Sequence, residues 1–307
     1  MNSDRLIVSV PDAAFKASLG ETPAGVEIAV WDMQSRWERN EVLDLVVLPY
    51  QRELTSLPYL QNVQPRLIQT QTIGYDGFGG ALSAGNVVAN ASSVHETSTA
   101  ELTLALILAS QRGLPEIIRL GPNNARRWHP SLADRSVLLL GYGGVGRAIE
   151  SRLAPFEVQL TRVAGRRRQD ESGVVHGVAE LPRLLPDAEV VIVCVPLNDS
   201  TAGLVDDTFL SAMPDGALLV NVARGKVADT QALTDHAQKG RLRLALDVTE
   251  PEPLPDDHAL LNLPNVLVTP HIGGASSSME TRMARLVKTQ ITRLREGHQP
   301  TNVVLRT

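Results

Sequence analysis

Six residues, GYGGVG at 141–146, constrain this chain more than any other stretch. The apolar run VLLL leads straight into them, and RAIESRLAPF follows with helical spacing. Gly141, Gly143 and Gly146 fit G-x-G-x-x-G. In that pattern the first glycine permits a tight turn, the second lets backbone approach a pyrophosphate, and the third lets helix pack on strand. The helix start, with Gly144 and Val145 in its first turn, then offers unpaired N–H groups and the positive end of a dipole to phosphate. A glycine triplet alone is common. One set between a strand and a helix predicts a dinucleotide-binding βαβ unit.

The rest of the chain keeps the same rhythm. RLIVSV (5–10), VEIAVWD (26–32), LDLVVLPY (43–50) and RLIQTQT (66–72) read as strands separated by helical or turn-like stretches. A long helix with apolar residues from Leu102 to Ala109 follows. The rhythm restarts with RSVLLLG (135–141), VQLTRVAG (158–165), EVVIVCVP (189–196), GALLVNVARG (216–225), RLALDV (243–248) and NVLVTP (265–270). Near-continuous apolar strands imply sheets covered on both faces. A last amphipathic helix lies in SSSMETRMARLVKTQITRLREG. At 307 residues two domains are expected. The order predicts an α/β protein with two open, doubly wound parallel sheets. A Rossmann nucleotide-binding domain (98–275) is inserted into a flavodoxin-like substrate domain (1–97 plus 276–307).

Composition excludes several function classes. The formal net charge of −5 argues against a nucleic-acid partner, which calls for a basic face. No apolar run approaches a bilayer span, and MNSDRLIVSVPD is not a secretory signal, so no membrane partner is expected. The single cysteine, Cys194, forms no internal disulfide and reads as buried in a strand. A cytoplasmic protein follows. His95, His129, His176, His236, His258 and His298 show no metal-ligand spacing, and no metal is assigned.

The end of the second nucleotide-domain strand discriminates between cofactors. An acidic side chain there binds the ribose 2′-OH of NAD. This chain reads Val163, Ala164, Gly165, Arg166 instead. A carboxylate repels a 2′-phosphate, whereas a guanidinium holds one bidentately. Arg166 is therefore assigned to the 2′-phosphate of NADPH, with NAD as the alternative cofactor. For Arg167 and Arg168 a solvated loop competes with a phosphate role.

Three later strands end in chemistry-bearing residues: Arg224 in NVARG, Asp247, Glu250 and Glu252 in DVTEPEP, and His271 in TPHIGG. Ligands of open α/β sheets sit beyond the carboxyl ends of the strands. The set suits a 2-oxo acid. Arginine pairs with the carboxylate and polarises the ketone. Histidine supplies the proton, and a glutamate on its other ring nitrogen orients the ring and favours its charged form. Singly, each residue has an ordinary structural reading; the ordered combination after a nucleotide turn is far rarer.

Here the sequence resembles the D-isomer-specific 2-hydroxyacid dehydrogenases over most of its length. The likeness is densest from Thr99-Ala100-Glu101 to His271-Ile272-Gly273-Gly274, through GYGGVG, CVPLNDSTAGL, ALLVNVARG, ALDVTEPEPL and VLVTPHIGG. It implies Arg224, Glu252 and His271 as the catalytic residues, with Glu252 favoured over Glu250 by alignment of the segment's ends. It implies cofactor contacts at Thr99, Val195, Pro196, Val222, Ala223, Arg224, Asp247, His271, Gly273 and Gly274. Asp247 matches the residue that meets the nicotinamide carboxamide. Backbone N–H groups of Ile73 and Gly74 match the loop that holds the substrate carboxylate together with Arg224 and His271. Ala164-Gly165-Arg166 resembles the corresponding stretch of NADP-dependent glyoxylate and hydroxypyruvate reductases. Glu252 argues against formate oxidation, and Ile73 against phosphite oxidation.

The resemblance thus implies hydride transfer between NADPH and a small 2-oxo acid, in a homodimer. A homodimer would suit the long apolar helix, although core burial explains that helix equally well. Trp31, Tyr50 and Tyr75 are candidate pocket residues or core. Two alternatives stand beside this reading. One is a dinucleotide-sensing regulator of the same superfamily; the other is a methyltransferase, which shares the glycine turn but has no call for Arg224 and His271.

Overall fold

The computed structural model describes residues 5–121 and 128–307. The chain divides into two compact units. The first holds the chain up to His95 and again from Ser276 onward; the second holds Glu96–Ala275.

The first unit opens with β1 (Leu6–Val10), α1 (Ala13–Ser18), β2 (Val26–Val30), β3 (Leu45–Val47), α2 (Glu53–Ser56), β4 (Leu67–Gln69), α3 (Phe78–Ala81) and β5 (Val87–Ala89). These strands pair in parallel. The short apolar runs of β1, β3 and β4 are buried on both faces because pleating sends successive side chains to opposite sides, whereas edge strand β2 is only partly covered. Val8, Val10, Leu45 and Leu67 enter one apolar cluster, while Ile7, Val46 and Ile68 enter another.

The second unit holds α4 (Glu96–Gln111), α5 (Leu114–Leu120), β6 (Ser136–Leu140), α6 (Gly144–Leu153), β7 (Gln159–Ala164), β8 (Arg168–Asp170), β9 (Gly173–Gly177), α7 (Leu181–Leu184), β10 (Val190–Val193), α8 (Asp207–Ala212), β11 (Leu218–Asn221), α9 (Thr230–Gln238), β12 (Arg243–Leu246) and β13 (Val266–Val268). The sheet order is β13-β12-β11-β10-β6-β7-β9-β8. Leu138 and Leu140 face one cluster and Val137 and Leu139 the other, against Ala100, Leu106 and Ile107 of α4. The central register is flush. Val163, Leu140, Val193, Asn221, Leu246 and Val268 lie side by side across six parallel strands. Whatever follows those residues therefore emerges along one rim.

The chain returns to the first unit with α10 (Ser278–Arg295) and β14 (Val303–Arg306). The apolar stripe of α10, with Met283, Val287, Ile291 and Leu294, packs on the face carrying Val8 and Leu45. The completed sheet runs β14-β5-β4-β3-β1-β2.

Both sheets are mixed rather than wholly parallel. At one edge of each, β14 lies antiparallel to β5, and β8 antiparallel to β9. Strands β5, β8, β9 and β14 are also additions to those expected from the sequence. They are short or polar, and RQD in β8 carries no alternation to betray a strand. Of the four, β8 and β14 are edge strands, which composition signals weakly, while β5 and β9 each lie one place in from the edge. Cys194 lies just past β10 rather than within it.

Candidate active site

The glycine turn is held by contact, not by flexibility alone. Gly141 has φ +113°, and a Cβ there would lie 2.7 Å from the carbonyl carbon and oxygen of Cys194. A Cβ on Gly146 would lie 2.2 Å from the Gly141 oxygen. Neither position admits a side chain. Gly143 differs: nothing lies within 4 Å of its Cβ direction. It is the N-cap of α6 and supplies no side-chain hydrogen bond. The cap thus offers the first N–H groups of α6 no acceptor, and the Glu96 side chain approaches the same turn, where a Cβ on Gly144 would meet its Oε1 at 3.0 Å.

Chain order reverses here. From β6 the chain passes to β7 on one side, whereas β10 pairs with β6 on the other. That switch point is where open α/β sheets bind ligands. Buried Val195 and exposed Pro196 flank it just past β10. The Cys194 thiol donates to the Gly141 oxygen at 3.0 Å, and burial pushes it up to about 12. An uncapped helix start, two glycines packed against backbone and an open Gly143 form a cradle fitting a dinucleotide pyrophosphate.

The three arginines after β7 have separate fates. Arg167 donates to Glu180 at 2.8 Å. Glu180 also accepts from the Gly177 N–H at 2.9 Å, contacts His176 and takes Arg183, and these bonds lower it to about 2. Arg168 donates to the Tyr142 carbonyl at 3.1 Å. Neither is a freely solvated charge. Exposed Arg166 has no hydrogen-bond or ion-pair partner among the described residues.

Three adjacent strands carry the remaining groups. Arg224 follows β11 and is half-buried, its guanidinium donating to the Ala223 oxygen at 2.7 Å. Asn221 clamps this loop: its Oδ1 accepts from the Ala223 N–H at 3.0 Å and its Nδ2 donates to the Arg224 oxygen at 3.1 Å. A Cβ on Gly225 would lie 1.9 Å from the Thr249 oxygen, so the loops after β11 and β12 touch through this glycine. Val222 is half-buried and Ala223 buried between them.

Asp247, 2% exposed, organises the loop after β13. Its carboxylate accepts from Thr269 Oγ1 at 2.7 Å and from the N–H groups of Ile272 and Gly273 at 2.9 Å. Its backbone oxygen accepts from the His271 N–H at 2.9 Å. These bonds hold His271 at φ +51°, a left-handed conformation rare for a side chain of this size. They also point the ring at Glu252, whose Oε1 lies 2.6 Å from Nδ1. Of the two candidate glutamates, Glu252 is the one at the imidazole. The backbone oxygen of Glu250 accepts from Thr230 Oγ1 at 2.6 Å. Thr99, in α4, lies beside Gly273, which precedes Gly274 in the same loop: a Cβ on Gly273 would meet its side chain at 3.4 Å.

In the first unit, Ile73 and Gly74 follow β4. Asn90 Nδ2 donates to the Ile73 oxygen at 2.7 Å, and Thr72 Oγ1 to the Gly74 oxygen at 2.9 Å. The carbonyls are thereby turned away, and neither peptide N–H has an acceptor among the described residues. Trp31 is core: it is 6% exposed and its ring sits 5.4 Å from that of Trp37. Tyr50 stacks on His95 at 6.1 Å, and Tyr75 is exposed. Sequence reasoning missed Asn221, Gly225 and Thr269. Only the asparagine in NVARG carried a usable signal, as a loop-bonding side chain.

Residues 104–273 match the NAD binding domain of the D-isomer specific 2-hydroxyacid dehydrogenases. A glyoxylate reductase of Thermofilum pendens is 33% identical over 253 residues, which is 78% of this chain and 74% of that protein. The chain belongs to the D-isomer-specific 2-hydroxyacid dehydrogenase family.

Two solved structures extend the likeness over both units. One is a D-isomer specific 2-hydroxyacid dehydrogenase from Xanthobacter autotrophicus in complex with NADPH and MES. It is 25% identical, with TM-score 0.81 over 98% of each chain. The other is an NADPH-dependent glyoxylate/hydroxypyruvate reductase from Sinorhizobium meliloti in complex with NADP and malonate. It is 26% identical, with TM-score 0.77 over 98% of this chain and 97% of that one. As a 2-hydroxyacid dehydrogenase the protein is an oxidoreductase, which removes the methyltransferase reading. Among the described residues no helix is long and apolar enough to cross a membrane.

Proposed function

We propose that this dehydrogenase reduces a small 2-oxo acid, of glyoxylate or hydroxypyruvate size, with NADPH. The observation that carries the reading is the 2.6 Å contact between His271 Nδ1 and Glu252 on the rim that also bears Arg224. With Nδ1 engaged, Nε2 is the nitrogen left to give a proton to the ketone oxygen. Arg224 pairs with the substrate carboxylate, and the N–H groups of Ile73 and Gly74 are its second set of donors. Asp247 keeps the His271 loop closed, and Thr99, Val195, Pro196, Val222, Ala223, Gly273 and Gly274 form the cofactor rim. Bound NADPH supplies the hydride. The names of the Thermofilum and Sinorhizobium proteins support the substrate class. The preference for NADPH rests on Arg166, a guanidinium at the place where NAD-binding units carry an acid.

A panel of 2-oxo acids assayed with NADPH and NADH tests this. Turnover of a two- or three-carbon 2-oxo acid, faster with NADPH, is expected; cofactor binding without turnover of any acid would favour the dinucleotide-sensing alternative instead. His271→Ala is expected to lower kcat by about 10²–10⁴, the range for loss of a general acid. Wild-type turnover in that variant would remove His271 from the mechanism.

The reading includes a cytoplasmic homodimer joined through the nucleotide unit. Helix α5 buries no residue, Ile118 is 82% exposed, and Trp128 is fully exposed nearby in sequence. Such apolar exposure is characteristic of an interface. Ile118→Asp should shift the protein from dimer to monomer in analytical ultracentrifugation; an unchanged dimer would place the interface elsewhere.

A further inference from the structure

Tyr142, the residue between the first two glycines of the turn, stands at the centre of a cluster of cations. The guanidinium carbons of Arg147, Arg162 and Arg168 lie 5.6, 5.7 and 5.7 Å from its ring centroid. Among the described residues one carboxylate bonds to this group, and Asp170 attracts Arg162 from further off. Glu150 accepts from the Tyr142 hydroxyl and pairs with Arg162. Burial, then this bond to Glu150, raises the Tyr142 hydroxyl above its ordinary range. Arg168 has only the Tyr142 carbonyl and the ring face, and no carboxylate among the described residues. Arg168, like Arg147, therefore sits on the nucleotide turn with no ion-pair partner among the described residues, beside the strand whose end carries Arg166.

The route by which Arg168 arrives argues for a ligand. It opens β8, a three-residue edge strand of exposed and half-buried polar residues that adds little to the core. An arginine on an edge strand also guards against strand addition, but a guard points into solvent. Arg168 is exposed, but its guanidinium donates to the Tyr142 carbonyl rather than standing free in solvent. That bond and the stack against the ring hold a long, flexible side chain in one place, lowering the entropy cost of using it in binding. The end of β7 abuts the turn, since the Gly141 N–H donates to the Val163 oxygen at 2.9 Å. Arg166 and Arg168 thus belong to the same corner, where the ribose of a dinucleotide lies in this kind of unit.

We propose that Arg168, held in place by Tyr142, is a second specificity-determining residue for the 2′-phosphate, acting beside Arg166. Two guanidiniums match a phosphate monoester carrying about −1.5 to −2 charges. Tyr142 is a positioning residue, acting only through Arg168. The proposal rests on the NADPH reading, and the test separates the two.

Adenosine 2′,5′-bisphosphate and 5′-AMP are titrated calorimetrically into the full chain. Wild type is expected to bind the bisphosphate more tightly. Arg168→Ala should cut that preference about tenfold or more, the scale of one lost charge-assisted bond. Arg168→Gln keeps a donor for the Tyr142 carbonyl without the charge, and should show the same loss. Tyr142→Leu should lower the preference and Tyr142→Phe, which keeps the ring, should restore it. Retained 5′-AMP binding certifies that each variant has a folded site. Equal affinities in wild type would overturn the NADPH reading itself. A wild-type preference left intact by both Arg168 variants would overturn this proposal alone.

Discussion

The turn from β1 into α1 and the turn from β6 into α6 treat the helix start in opposite ways. After β1, Asp12 is the N-cap, and its carboxylate accepts from the Phe15 N–H at 2.7 Å. After β6, the cap is Gly143, which has no side chain to offer. Both are strand-to-helix turns on parallel sheets, and both helix starts carry the positive end of a dipole. In the first unit the chain satisfies its own donor and closes the site. In the second it leaves the donors open and packs glycine against backbone, so that an external anion can approach. A structural joint and a ligand cradle thus differ in who provides the acceptor.

That difference can be broken at three points. Gly146→Ala has the largest expected effect, because its Cβ would lie 2.2 Å from the Gly141 oxygen. The turn must open, costing about 1–3 kcal/mol of stability as overpacking does. Cofactor affinity should fall by about a hundredfold from misplacement, measured by fluorescence titration. Gly143→Asp is gentler, since the site has room for a Cβ and the backbone is extended there. It copies the Asp12 arrangement: the helix caps itself, a carboxylate meets the phosphates, and affinity should drop roughly tenfold with melting temperature held or raised. If Gly143→Asp bound cofactor normally, the open helix start would not be the cradle. Asp12→Ala is the smallest change. It should cost about 0.5–2 kcal/mol in urea denaturation and leave cofactor KM unaltered, because that cap serves only its own helix.

A second contrast lies within the arginine run. Neighbours in sequence, the three side chains go to a carboxylate, a backbone carbonyl and solvent. Sequence reading chose Arg166 by its distance from the glycine turn and left the next two open between a solvated loop and a phosphate role. It could not see β8, because three polar residues at a sheet edge carry no hydrophobic period. The pairing of β8 with β9 is what returns Arg168 to Tyr142.

Much was legible in the chain itself. The central strands, the glycine turn and the residues at strand ends are local statements. They follow from apolar runs buried on two faces, from positions that exclude a Cβ, and from the rule that ligands lie past the carboxyl ends of parallel strands. What needed the tertiary structure were the meetings of distant groups: Asp247 closing the loop that holds His271 at positive φ, Gly225 against Thr249, and Arg168 on Tyr142. The physical reason is range. Periodicity and steric exclusion act between neighbours in the chain, whereas a hydrogen bond between loops depends on the register of whole strands, which only the assembled sheet defines.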